Sequence, residues 1–146
     1  MLDKDKFENK SEEKSTASIR PQEFSWHGLV PGKSTVSEAI EILGTVEQEV
    51  EFANGKWFEF VNHTVQVIVL DDDMTRIAKI RVLADFPEKQ FMPTTLDEVE
   101  QIYGPFQQTQ IDEFAVITYE RPGLRVACRL FGNPQLVKWL EFYPAC

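Results

Sequence analysis

Apolar side chains recur at helical spacing in two short places along this chain. Val36, Ala39, Ile40 and Leu43 fall on one face of a helix, and so do Leu96, Val99, Ile102 and Tyr103. Each stretch opens with Thr-x-x-Glu (Thr35 with Glu38, Thr95 with Glu98) and closes at a glycine, Gly44 or Gly104. The threonine hydroxyl accepts from the amide three residues on, the glutamate reaches back to the threonine amide, and glycine supplies the stop. The pattern therefore predicts helices over 36–43 and 96–103.

Elsewhere the period is two. Val65, Val67 and Val69 form one side of a stripe; Ala78, Ile80 and Val82 alternate with Lys79 and Arg81; Leu124, Val126, Cys128 and Leu130 alternate with Arg125 and Arg129. Such alternation marks antiparallel strands with one covered face. Strands are predicted at 50–61, with Asn54-Gly55 as a bulge or tight turn inside, and at 64–70 and 76–83. The second set falls at 107–120, 124–131 and 136–143, with turns at Asp71–Met74, Pro122-Gly123 and Gly132–Gln135. Asp85–Pro93, broken by Pro87 and Pro93, links the two sets. The expected fold class is α+β: two tandem α-β-β-β repeats, about 34–83 and 94–143, offset by about sixty residues. They should form an antiparallel sheet with both short helices packed on one face.

Residues 1–23 show no period and hold few large apolar side chains, so a disordered tether is expected there, with 24–146 a single domain. Phe24, Trp26, Leu29 and Val30 are too apolar for a linker and open that domain. The 146 residues are 42% hydrophobic, with eleven Phe and three Trp, enough for one core. A net charge of −9 argues against a nucleic-acid partner or an anionic membrane. No apolar run is long enough for a membrane span, and Met1–Lys6 is polar from the start. Read literally, that start gives a cytoplasmic protein; a signal removed earlier gives an extracytoplasmic one. Cys128 reads as a small core residue. If 123–131 and 136–143 form a hairpin, Cys128 faces roughly Trp139 and Cys146 lies on the order of 20 Å further along. A disulfide between the two cysteines would require the tail to fold back.

The candidate chemistry is sparse. His27 and His63 occupy no metal or triad spacing. Asp71-Asp72-Asp73 lacks the glycine and glutamate of a calcium loop and reads as a turn. Gly32-Lys33-Ser34-Thr35 lacks the first glycine of a phosphate-binding loop. Glu47, Glu49, Glu51, Asp112 and Glu113 fall on edges and turns, where a carboxylate dyad has no rigid facing elements. The expectation is a non-enzyme with no catalytic residue, cofactor or metal. If the apolar stripes face the helices, Arg125, Arg129 and Phe131 point outward, with Lys79 and Arg81 on the matching face and Lys138 beside them. Trp57 or Phe58, and Trp139 or Phe142, would join them according to register. Arginine and aromatic rings dominate interface hot spots. The competing reading is that these cations are only the solvated half of alternating strands.

The stretch Gly32-Lys33-Ser34-Thr35-x-x-Glu38-x-x-x-x-Leu43-Gly44, followed by Lys56-Trp57-Phe58-Glu59-Phe60, resembles a signature of small bacterial envelope proteins. These are the SmpA/BamE-type lipoproteins and the beta-lactamase-inhibitor-protein-like fold. Unlike the lipoproteins, this chain has no lipobox cysteine. The resemblance implies an extracytoplasmic scaffold or inhibitor that acts by surface contact, without catalysis. Residues 1–23 would then be the tether that follows a lipidated cysteine. The expected partner is another protein. The alternatives are a cytosolic inhibitor or immunity-like protein engaging a basic partner, and a carrier of a small apolar ligand.

Overall fold

Both capping boxes form as their residues dictate in the computed structural model, which describes residues 24–144. The expected tether at 1–23 and Cys146 lie outside the described residues. Helix α1 (Val36–Leu43) is capped by Thr35, whose hydroxyl accepts from the Glu38 amide at 3.2 Å while Glu38 accepts from the Thr35 amide at 2.8 Å. Helix α2 (Leu96–Tyr103) repeats this with Thr95 and Glu98, at 3.3 Å for each bond. Ala39 and Val99 are the fully buried residues of these helices. Ile40 and Ile102, expected on the covered faces, are 42% and 55% exposed. Each short helix buries one central position fully, Leu43, Leu96 and Tyr103 pack half-buried against the core, and Ile40 and Ile102 at the margin stay in water.

Four strands follow each helix. They are β1 (Gln48–Phe52), β2 (Gly55–Phe60), β3 (Val65–Leu70) and β4 (Lys79–Leu83), then β5 (Gln107–Ile111), β6 (Val116–Arg121), β7 (Leu124–Arg129) and β8 (Val137–Phe142). All eight join one antiparallel sheet in the order β1-β2-β3-β4-β8-β7-β6-β5, so the fold is α+β but mainly sheet. The single strands expected at 50–61 and 107–120 are in fact hairpins, which corrects the three-strand unit to four. Asn54-Gly55 makes the first a tight turn, with Phe52 opposite Gly55 and Val50 opposite Trp57. A Cβ at Gly55 would collide with the Val69 carbonyl, so no other residue fits there. The second turns at Asp112–Ala115, where the Asp112 carboxylate accepts from the amides of Phe114 and Val116 at 2.8 and 3.1 Å.

The strand expected from residue 76 starts at Lys79 because the backbone before it pairs with the segment leading into α1. Ile77 donates to the Ser34 carbonyl at 2.9 Å, and Gly32 donates to the Ile77 carbonyl at 2.7 Å. The segment leading into α2 is tied similarly, through Leu96 to Gln135 at 3.1 Å and Val137 to Thr94 at 2.9 Å. Each helix is thus anchored at its start to the last connection of its own set of strands.

The period-two stripes become a continuous inner face. Val65 lies opposite Val82, Val67 opposite Ile80, Val82 opposite Leu140, and Val126 opposite Leu140. Phe60, Phe142, Leu124, Ala39 and Val99 belong to the same buried cluster, so both helices share one core on one side of the sheet. The linker at 85–93 is not a solvated spacer: Phe86 and Met92 are buried. Trp26 packs edge-on against Phe86 at 5.2 Å and donates its indole N–H to the Phe91 carbonyl at 2.7 Å. Cys128 sits in this core, and burial with Glu100 nearby pushes its thiol up to about 12. It lies opposite Val137, since a register shift puts Ala127 opposite Trp139.

The two helix-ending glycines separate backbone from packing effects. Both have positive φ, 98° at Gly44 and 94° at Gly104. A Cβ at Gly44 meets nothing, whereas at Gly104 it strikes the guanidinium of Arg121, which donates to the Tyr103 carbonyl. Gly44→Ala should cost about 1 kcal/mol from φ alone. Gly104→Ala should cost about 1–2 kcal/mol more, because Arg121 must abandon the α2 terminus. Urea unfolding of the two variants checks the difference; equal losses would remove the role assigned to Arg121.

Candidate protein-binding face

The inner face takes every second residue of the strands and leaves the others on a face without helices. Lys79, Arg81, Arg125 and Arg129 are strand residues of this open face. Lys138 and Phe131 line a cleft at its margin. The register also decides between the aromatic alternatives. Trp57 and Trp139 are on the open face, while Phe58 and Phe142 pack into the core cluster.

The six expected residues do not form one patch. At the centre, Glu141 of β8 lies directly opposite Arg81 of β4 and Arg125 of β7. Arg81 donates to Glu141 Oε2 through Nη2 at 2.7 Å and Nε at 3.2 Å, and Arg125 Nη1 reaches Oε1 at 3.2 Å. The Glu141 side chain is 2% exposed, against 35% for Arg81 and 37% for Arg125. Arg125 also reaches Glu120 at 3.4 Å, and Glu120 accepts from the Tyr143 hydroxyl. Arg81 lies over the Trp139 ring at 4.6 Å and Arg125 near the Tyr143 ring at 5.8 Å. A buried carboxylate must be paired, and two arginines satisfy it here. Arg81 and Arg125 are therefore committed within the molecule, which limits them as recognition groups.

The other four residues flank this ridge. On the β1–β4 side a groove of about 450 Å³ is lined by Phe52, Trp57, Ile68 and Leu70, with Lys79 and the Arg81–Glu141 pair of the ridge among its walls. The Phe52 and Trp57 rings stack at 5.8 Å. Glu59 accepts from the Trp57 indole at 2.8 Å and bonds the His63 ring at 2.7 Å, which holds the tryptophan in place. On the β6–β8 side a smaller cleft of about 280 Å³ is formed by Phe114, Ala115, Val116, Arg129, Phe131 and Lys138. Lys79, Arg129 and Lys138 form no ion pair among the described residues. The sequence reading missed Phe52, Phe114, Glu120 and Glu141. Only strand register could have placed these four beside the cations.

The remaining candidates are engaged locally. His27 stacks on Phe91 at 4.0 Å and lies 3.4 Å from Glu88. Glu47 accepts from the amides of Asn62 and His63, fastening a turn in which Val61, Asn62 and His63 all have positive φ. Those bonds hold its carboxyl below the usual range. Asp73 accepts from the amide and hydroxyl of Thr75, so the aspartate run is the strand-to-strand turn expected of it. Among the described residues no group of three His, Cys, Asp or Glu is arranged to hold a metal ion, and no helix is long and apolar enough to cross a membrane.

No protein-family model matches the chain, and no curated protein matches it. Among solved structures it is similar to the crystal structure of a DUF4309 family protein, YjgB, from Bacillus subtilis. The two share 17% identity with a TM-score of 0.53, over 84% of this chain and 87% of that one. At that identity the likeness shows the fold alone.

Two measurements test the central ridge. Replacing Arg81 and Arg125 together with Ala should destabilise the protein by about 2–4 kcal/mol, since Glu141 is left buried without a partner. Lys79→Ala and Arg129→Ala should each stay within about 0.5 kcal/mol of the parent; equal losses in urea melts would show that the ridge is not special. Tyr143 supplies a pH signature. Burial and the Glu120 carboxylate push its hydroxyl up to about 12. A raised phenol pKa favours the folded state while the group is protonated. That contribution is whole below about 10 and is lost as pH rises toward 12. Burial raises Tyr103 and Tyr119 as well, so phenolate absorbance should develop late for all three tyrosines, and the component near 12 should disappear in Tyr143→Phe; an unchanged titration would contradict the geometry.

Proposed function

We propose that this chain is a non-enzymatic protein-binding module made of two tandem helix-plus-meander repeats, which holds its partner across the sheet face that carries no helices. Three features support the duplication. The capping threonines and closing glycines recur at the same offset in both halves. The strand order reads outward identically from the β4–β8 boundary. At that boundary Arg81 lies opposite Glu141, the residue sixty positions later, an arrangement compatible with a local two-fold axis through this pair.

The observation that carries the binding reading is the chemistry around the two clefts. Trp57, Phe114 and Phe131 stand with Lys79, Arg129 and Lys138 on a face where Glu120 and Glu141 are already engaged by Arg81 and Arg125, and Glu59 by Trp57 and His63. Aromatic and cationic side chains of this kind form interface centres. The resemblance of residues 32–44 and 56–60 to envelope proteins supports an extracytoplasmic setting in a bacterium. A cytosolic inhibitor would use the same face. The apolar-carrier reading has less support, since Trp26, Phe60, Phe86 and Leu124 fill the space between helices and sheet.

Capture from native envelope extract, followed by cross-linking, tests the assignment. Cross-links should map to the open face, and Lys79→Glu with Arg129→Glu should abolish capture with less than about 0.5 kcal/mol change in stability. Cross-links confined to α1 and α2, or capture unaffected by the reversals, would overturn it.

A further inference from the structure

The cleft between the β5–β6 and β7–β8 turns has a chemistry specific enough to name what it binds. Phe114 and Phe131 are 78% and 77% exposed, far above the other large apolar side chains described. Leaving two such rings in water forgoes burial worth roughly 2–3 kcal/mol each. The turns carrying them are nonetheless held firmly. Asp112 fixes the first through the Phe114 and Val116 amides, and the Leu130 amide donates to the Ala115 carbonyl at 2.8 Å, tying the two turns together. Gln135 braces the second turn, donating to the Leu130 carbonyl at 3.2 Å and accepting from the Tyr119 hydroxyl at 2.7 Å. The backbone carrying both rings is thus set before any partner arrives, which lowers the ordering cost of binding.

Two cations, Arg129 and Lys138, line the same cleft, and no carboxylate does. Neither cation has an ion pair among the described residues. The volume, about 280 Å³, falls below the range of about 300–1,000 Å³ typical of small-molecule sites. It suits one protruding apolar side chain. We infer that this cleft receives an acidic segment of a partner protein: an apolar side chain lodged between Phe114 and Phe131, flanked by carboxylates that reach Arg129 and Lys138. This rests on the open-face reading and adds the chemistry of the partner to it. An anionic bilayer offers similar charge, but the protein's net charge of −9 would repel it at long range.

The test is panning of a random-peptide phage library against the full chain, with anionic phosphatidylglycerol vesicles as a second arm. Enriched peptides should carry Leu, Ile, Phe or Met beside Asp or Glu. Enrichment should fall at least about tenfold on the Phe114→Ala/Phe131→Ala variant. On Arg129→Glu/Lys138→Glu the preference should invert toward Lys- and Arg-flanked peptides. All four residues line a solvent-open cleft, and a urea melt confirms that each variant stays folded. Enrichment independent of these residues, basic-flanked peptides on the parent, or Phe-dependent capture by vesicles in place of peptides would each overturn the inference. If native cross-links still map to the open face, only the partner chemistry fails; if they map to α1 and α2, the broader reading fails with it.

Discussion

The pairing of β4 with β8 is the constraint on which the rest of the structure depends. It is the single junction between two four-stranded sets, and without it the sheet would be two separate sheets. On the inner side, Ile80 and Val82 meet Phe142 and Leu140 there, all fully buried. On the outer side the same junction places Arg81 against Glu141. Hydrophobic burial supplies the drive, while the ion pair adds a preference for one register. A one-residue slip would turn Glu141 into the core and Leu140 into water.

That ionic junction also shapes the candidate binding face. A carboxylate at 2% exposure needs close partners, and Arg81 and Arg125 are committed to it from both sides. The ridge they form divides the open face into two recesses of different character. One is larger and walled by stacked aromatic and aliphatic side chains with a lysine among them. The other is smaller, with two exposed phenylalanines and two cations. Two arginines on a single strand thus differ in their engagement: Arg125 is tied to Glu141 and Glu120, and Arg129, four residues on, is exposed with no ion pair among the described residues.

The sequence made the alternation of Arg125 and Arg129 legible, but not this difference between them. Both read as outward cations, and both are outward. What separates them is the residue on the neighbouring strand: Glu141 faces Arg125, while Val116 faces Arg129. The same holds for the aromatics. Phe114 lies fifteen residues from Arg129 along the chain, and their meeting depends on the β6–β7 register together with the turn that ends β5.

Local signals determined the elements themselves. A capping box and a terminal glycine act within one helical turn, so α1 and α2 were readable to the residue from Thr35–Gly44 and Thr95–Gly104. Period-two alternation is equally local, and it separated the core face from the open face before any pairing was known. The hairpin at Asn54-Gly55 was visible as a turn, but whether the chain bulges or reverses there depends on β3, whose backbone leaves no room for a Cβ at Gly55. Register, the ridge and the two clefts came only from the tertiary structure. A side chain's partner across a sheet is set by how distant strands align, and that alignment is a property of the whole core rather than of any short stretch of sequence.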